Sequence, residues 1–233
     1  MKKIIALVLA LVFALSFAAC GKSANKDINA KSEGTMTYAE YDAAELNAKV
    51  VVEAYVQAHQ SWYNDKITVY AQDGDGGYFF YNMACSESDA QKLVPGTKIK
   101  VTGYKAEFSG EIEVADATFE FVDGPSYIAK ALDVTDLLGT DGLNARKNMF
   151  VSFKGLTVEG ITYKNGEPGD DIYVAVSKDG KNYNFCVEYY LTGSDTQVYK
   201  DVCALTQGQT IDVECFLYYY EGINPHITSV TVK

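Results

Sequence analysis

Residues 93–110, LVPGTKIKVTGYKAEFSG, and residues 205–222, LTQGQTIDVECFLYYYEG, align at one constant offset. Leu93, Gly96, Ile99, Val101 and Gly110 fall on Leu205, Gly208, Ile211, Val213 and Gly222, and Phe108 falls on Tyr220. The matched positions are apolar residues of core type and glycines of turn type. What recurs is therefore a fold unit and not a catalytic motif. Such a chain folds as two copies of one small domain, each long enough for a modest core.

Val, Ile, Thr, Tyr and Phe dominate both copies, with 18 tyrosines in all, so the units read as β. In the first copy strands are predicted over 49–60, 67–73, 78–83, 97–108 and 111–122. Ile67, Val69 and Ala71 face inward. Gly74-Asp75-Gly76-Gly77 predicts a tight hairpin turn. The phase of the third strand stays open, with either Phe79 and Tyr81 or Tyr78 and Phe80 facing out. A short helix over 86–93, capped by Ser86 or Ser88, is stopped by Pro95-Gly96. The second copy repeats the order, with strands over 149–163, 171–178, 183–190, 210–220 and 226–233 and a helix from about 194 to 205. Gly103 and Gly155 lie inside strands, as the sharp coiling of a small barrel requires.

The order strand, strand, strand, helix, strand, strand resembles the OB-fold. The Q-D-x-D-G-G turn at 72–77 and the L-x-x-G-x-x-I-x-V-x-G stretch at 93–103 are similar to secreted bacterial OB-like modules. The resemblance covers 49–122 and 148–233. It implies an all-β chain of two tandem five-stranded OB-like Greek-key barrels, each with a short helix between strands 3 and 4. Two immunoglobulin-like sandwiches are the alternative, and the helix inside each repeat counts against them. The expected domains are 37–122 and 148–233. Residues 123–147 match neither copy. Leu132, Leu137, Leu138 and Leu143 predict a structured linker there, packed between the barrels.

The first residues read as an address. Met1-Lys2-Lys3 is basic, residues 4–17 are nearly all apolar, and Phe17-Ala18-Ala19-Cys20-Gly21 places small residues before a cysteine. The apolar run is short for a membrane span and has the three-part form of a secretory signal. With its cysteine it resembles a bacterial lipoprotein signal. That resemblance implies removal of residues 1–19, lipid on Cys20 and anchoring at the outer face of a bacterial cell membrane. Residues 22–36 are small, polar and free of aromatics, and predict a flexible tether.

The net charge is −11, and the signal segment removes two lysines and no acid. Residues 49–122 and 148–233 each hold 6 lysines and 11 acids, so neither half is a basic module. Arg146 is the single arginine. Grip on a phosphate backbone needs clustered cations, so nucleic acid is disfavoured as a partner. Cys85, Cys186, Cys203 and Cys215 do not occupy matching positions in the two copies. They read as buried free thiols, with a bridge inside the second copy as the alternative.

No Walker loop, dinucleotide fingerprint or H-E-x-x-H motif is present, so no cofactor, metal site or catalytic residue is nominated. Asp73-Gly74-Asp75-Gly76-Gly77 lacks the acceptors of a calcium loop and reads as a plain turn. His59 and His226 read as surface or turn histidines. What remains is the rings. OB barrels bind across strands 2 and 3, flanked by the loops joining strands 1–2 and 4–5. Those places hold Trp62, Tyr63, Tyr70, Gln72, Phe79, Tyr81 and Phe108 in the first copy. In the second they hold Tyr163, Tyr189, Tyr190, Tyr218, Tyr219, Tyr220, Asn224 and His226. Trp62 stands out because polar loop residues surround it. The expected ligand-binding residues are Trp62, Tyr63, Tyr70, Gln72, Phe79, Tyr81, Phe108, Tyr218, Tyr220 and His226.

The expected function is a lipid-anchored, non-enzymatic binding protein whose ligand is a glycan or a protein. The alternatives are a single-stranded nucleic-acid-binding module of extracellular DNA processing, and a structural envelope lipoprotein whose rings are all buried between barrels.

Overall fold

The computed structural model describes residues 27–233. The expected signal segment and Cys20 lie outside the described residues. The first unit contains α1 (Tyr38–Ala43), β1 (Lys49–His59), β2 (Lys66–Gln72), β3 (Gly77–Ala84), α2 (Glu87–Ala90), β4 (Lys98–Phe108) and β5 (Glu111–Phe121). Its strands close in the order β1-β2-β3-β5-β4. β4 pairs back onto β1, and β3 meets β5 in parallel at Phe80 and Val114.

The second unit contains β6 (Leu132–Asp133), two 3-10 turns (Thr135–Leu137 and Asp141–Arg146), β7 (Phe150–Tyr163), β8 (Ile172–Lys178) and β9 (Lys181–Val187). α3 (Tyr189–Thr192), α4 (Gln197–Cys203), β10 (Thr210–Phe216) and β11 (His226–Val232) follow. Its ring runs β7-β8-β9-β11-β10 and closes through β10 onto β7. β9 meets β11 in parallel at Cys186 and His226. The connectivity is the same in both units, helix between strands three and four included, so the chain is two OB barrels.

Each barrel has its own core. In the first, Val52, Val69, Phe80, Leu93, Ile99 and Val101 are fully buried. In the second, Phe153, Leu156, Val174, Phe185, Ile211 and Val213 play that part. Gly96 and Gly208 turn the chain into the fourth strand of each copy at φ +90° and +87°, a conformation that disfavours any other residue. The third strand of the second copy ends sooner than expected. Glu188 carbonyl accepts from the backbone N–H groups of Leu191 and Thr192, which starts α3 at Tyr189.

Two sequence expectations are corrected. The leucines of 123–147 do not pack between the barrels. Leu138 and Leu143, with Val134, are buried in the core of the second barrel, and Leu137 packs against it. β6 lies parallel to β7 at Val151 and Ser152, and a helical turn then leads into β7. The first barrel does the same: Met36 bridges Val52 in parallel, and α1 delivers Tyr41 to the core before β1. The lead-in is thus part of the repeat. It escapes alignment because a barrel plug needs only apolar residues at an unfixed spacing.

The second correction concerns the tether, whose last ten residues are folded onto the first barrel. Lys31 Nζ lies 2.6 Å from Asp73 Oδ2 and also donates to the Glu53 carbonyl. Lys98 Nζ lies 2.7 Å from Glu53 and donates to the Ala30 carbonyl. Asp73 and Glu53 are fully buried, so these lysines neutralise charges that water cannot reach. The other oxygen of Asp73 accepts from the backbone N–H groups of Asp75 and Gly76, and Tyr78 hydroxyl donates to Oδ2. The turn carboxylate is fully engaged by the protein. Lys31→Met leaves Asp73 buried without its cation, and should cost about 3–5 kcal/mol of unfolding free energy. Urea unfolding checks this; a loss under about 1 kcal/mol would mean that the arm is not pinned.

Candidate functional site

The phase of β3 follows from its packing. Tyr78 and Phe80 point into the first barrel's core, while Phe79 packs outward beside Tyr70. Tyr81 follows Phe79 on the outer face, their rings 6.4 Å apart. A register shift opposite Ile67–Val69, with Asn82 at φ +47°, returns Met83 to the core. Tyr81 and Asn82 are both exposed as a result.

Half of this outer face is covered by the second barrel. Tyr70 stacks on Phe216 with centroids 4.6 Å apart and meets Phe79 edge-on at 5.0 Å. Phe79 in turn meets Tyr218 at 5.2 Å, and Tyr218 stacks on His226 at 4.3 Å. Tyr70 hydroxyl and His226 Nδ1 share a hydrogen bond of 2.7 Å. Gln72 Oε1 accepts from the backbone N–H of Phe150. A Cβ on Gly77 would run into the Asn148 backbone, so glycine permits the close approach. Tyr70, Gln72, Phe79, Tyr218 and His226 are therefore gathered in the seam between barrels, where protein and not ligand covers them. His226 is a buried seam residue and neither a surface nor a turn histidine; His59 ends β1 of the first barrel, half-buried.

Trp62 also takes another role. Its ring packs on the first barrel's core, and Nε1 donates to the Cys85 carbonyl at 2.8 Å. Its polar neighbours in sequence do not surround the ring in space. Phe108 and Tyr220 meet at the tips of the two strand 4–5 loops, centroids 6.2 Å apart, both half-exposed.

The other half of the β2–β3 face is open and forms a cleft of about 730 Å³. Lys66, Thr68, Tyr81 and Asn82 line its floor, and Tyr63 and Asn64 rise from the β1–β2 loop. The far wall is Tyr190 of α3, from the other barrel. Tyr63, Tyr81 and Tyr190 are 80%, 44% and 56% exposed. The loop is braced: Tyr63 and Lys66 exchange backbone hydrogen bonds of 3.0 and 3.1 Å around Asn64-Asp65, both left-handed. The wall is tied as well. Ser61 N–H donates to the Tyr190 carbonyl at 2.7 Å, and Gln60 Nε2 donates to Glu188 at 3.2 Å. Rings flanked by amides and hydroxyls can stack on flat ligand surfaces while satisfying polar edges. Asn64 and Lys66 were missed because a residue between two strand assignments carries no phase, and Asn82, inside the predicted third strand, because the register shift that turns it outward leaves no mark in the sequence. The sequence reading assigned Tyr190 to the second copy's own face.

Glu111, Glu188 and His226 are buried titratable groups at the seam. Burial pushes the Glu111 carboxyl up to about 8 and that of Glu188 up to about 7, the latter helped by Asp171. Tyr219 N–H donates to Glu111 Oε2, while Glu111 Oε1 and the neighbouring Asn148 Oδ1 lack partners. A proton between those two oxygens would satisfy both. Burial holds His226 down to about 3, as a neutral ring. All four cysteines among the described residues are free, and burial raises the thiols of Cys85, Cys186 and Cys215.

Scanned against protein-family models and against curated proteins, the sequence matches none. Solved structures similar in fold include the p204 HINb domain, at 14% identity, covering 82% of this chain and 100% of that one, with a TM-score of 0.35. The Ifi202 HINa domain in complex with 20 bp dsDNA matches at 12%, 80%, 98% and 0.37. A replication protein A heterotrimer bound to ssDNA matches at 9%, 82%, 51% and 0.32. Likenesses this slight carry no argument about what this chain binds.

The seam carboxylates make stability fall with rising pH. A carboxyl whose value is raised by folding contributes stability in full below its unfolded value, and the contribution is lost as pH climbs through the folded value. For Glu111 that window is about pH 4.5 to 8. His226 acts oppositely, weakening the fold as pH drops from 6.5 toward 3. Glu111→Gln should flatten the decline in urea midpoint between about pH 5 and pH 8 and raise the midpoint at the alkaline end. Superimposable pH profiles for variant and parent would show that Glu111 ionises in the folded state as it does in the unfolded chain.

Proposed function

We propose that this chain is a non-catalytic binding protein that takes a sugar chain in the cleft between Tyr63, Tyr81 and Tyr190, and that it is exported and held at a bacterial membrane by lipid on Cys20. The observation that carries the ligand reading is three exposed tyrosines around one cleft, with amides and two aliphatic hydroxyls between them and, among the described residues, a single cation, Lys66. Sugars offer apolar ring faces to aromatics and hydroxyl edges to amides. The acidic chain, at −11, suits a ligand without a phosphate backbone. A non-catalytic role is supported by the lining: glycoside hydrolysis ordinarily requires two carboxyl groups, and among the described residues none lines this cleft. A purely structural role accounts for the seam rings but leaves the three open ones without a purpose.

A second reading, single-stranded nucleic acid, is favoured by one observation: Lys66 stands among three rings on which bases could stack. Calorimetry with neutral glucose and N-acetylglucosamine hexasaccharides, and with a twelve-nucleotide thymidine strand, separates the two. We expect a hexasaccharide to bind and Tyr63→Ala together with Tyr81→Ala to weaken it at least about tenfold, or 1.4 kcal/mol. Tyr104→Ala, exposed elsewhere on the first barrel, should change nothing. Thymidine-strand binding that weakens steeply with salt and is lost in the double variant would replace sugar by nucleic acid. For the anchor, radiolabelled palmitate should label the parent chain in a bacterial host, and Cys20→Ala should abolish the label and release the protein from membranes.

A further inference from the structure

The two barrels share one fold but not one environment. In the first, the second barrel covers half of the strand 2–3 face. In the second, no such cover lies on the corresponding face of β8 and β9 among the described residues, and Tyr173, Asn182 and Asn184 are exposed there. Its outward positions alternate with the core residues Val174, Val176 and Phe185, and they carry Tyr173, Asn182 and Asn184. The strand 4–5 loop bounds this face with Tyr220, Glu221 and Asn224. Together they enclose a cleft of about 580 Å³.

The loop is held before any ligand arrives. Glu221 N–H donates to the Ser109 carbonyl of the first barrel at 2.7 Å, and Tyr220 N–H donates to Gly222 at 2.9 Å. Asn224 N–H donates to the Tyr218 carbonyl at 2.9 Å. The rings are therefore fixed at their backbones, which lowers the ordering cost of binding. Tyr220 is 48% exposed, and Tyr173, Asn182 and Asn184 are exposed on the strands. The lining chemistry repeats that of the first cleft, aromatic faces with side-chain amides, except in charge. The charged residue lining the first cleft is Lys66, and among the described residues the one lining the second is Glu221.

We propose that the second barrel carries a separate ligand cleft, formed by Tyr173, Tyr220, Asn182, Asn184 and Asn224, that takes neutral or amino sugars and turns away anionic ones through Glu221. The chain is then bivalent, with two clefts whose linings differ in charge. The proposal rests on the sugar-binding reading for its ligand class, but its residues are distinct from those of the first cleft.

Backbone amide shifts of the isotope-labelled full chain, read with three probes, test it: hexamers of N-acetylglucosamine, of glucosamine and of galacturonic acid. We expect the first two to shift Asn182, Asn184 and Asn224, and to do so still in the Tyr63→Ala, Tyr81→Ala variant. Tyr173→Ala with Tyr220→Ala should weaken those shifts at least tenfold, and both are surface positions. Glu221→Gln should remove the preference for glucosamine over galacturonate. Shifts confined to the Tyr63 and Asn82 region would overturn the second cleft and leave the first standing. Shifts confined to the Asn184 region would do the reverse. Silence at both clefts with all three probes would overturn both readings.

Discussion

Tyr70 laid on Phe216 is the contact from which the arrangement of the molecule follows. Tyr70, Phe79 and Phe216 are almost wholly buried, yet all three belong to outer surfaces of their barrels. Two small barrels with complete cores would otherwise be free to swing on their connection. Aromatic pairs of this geometry contribute about 0.5–1.5 kcal/mol each beyond their buried area. Around them, hydrogen bonds from the Asn148 side chain to the Ile112 carbonyl and from Lys147 to the Gly110 carbonyl fix register as well as distance. The seam decides what the rest of the surface can offer. By taking one end of the β2–β3 face it leaves the other as a walled cleft, and it brings Tyr190 to a barrel to which that residue does not belong.

Polar groups inside the seam give it a second character. A protein that buried only rings there would be indifferent to pH. This one buries Glu111, Glu188 and His226 beside the rings, each pushed toward its neutral form by lack of water. The acids and the imidazole respond to opposite directions of pH, so the barrel contact is best satisfied in mildly acidic to neutral surroundings.

The fold was legible because it is carried by residues whose role is local. Gly96 and Gly208 mark a positive-φ turn wherever they stand, and the alternation of Ile99 and Val101 with polar residues marks a strand with one buried side. The connectivity followed from element order. The site was legible only in part, because exposure is a property of what lies across the gap. Tyr70 and Tyr81 alternate outward on paired strands, and the sequence holds no sign that one meets Phe216 and the other water. Trp62 looked exposed among serine, tyrosine and asparagine, but the Cys85 carbonyl draws its indole inward. Lys31 looked like tether because nothing near it in sequence names its partner, Asp73, forty-two positions on.

The lead-in segments carry a consequence for how this chain can be divided. Met36 with α1, and β6 with its 3-10 turns, each insert apolar side chains into the barrel that follows. The natural seam in the polypeptide therefore falls between Ala129, whose N–H donates to Gln57 of the first barrel, and Val134, not at the first long strand of the second copy. A fragment begun at Phe150 would lack Val134, Leu138 and Leu143 and expose its interior to water at one end. One begun near Lys130 would keep its stopper, and would show solvent the aromatic flank that Tyr70 and Phe79 normally cover.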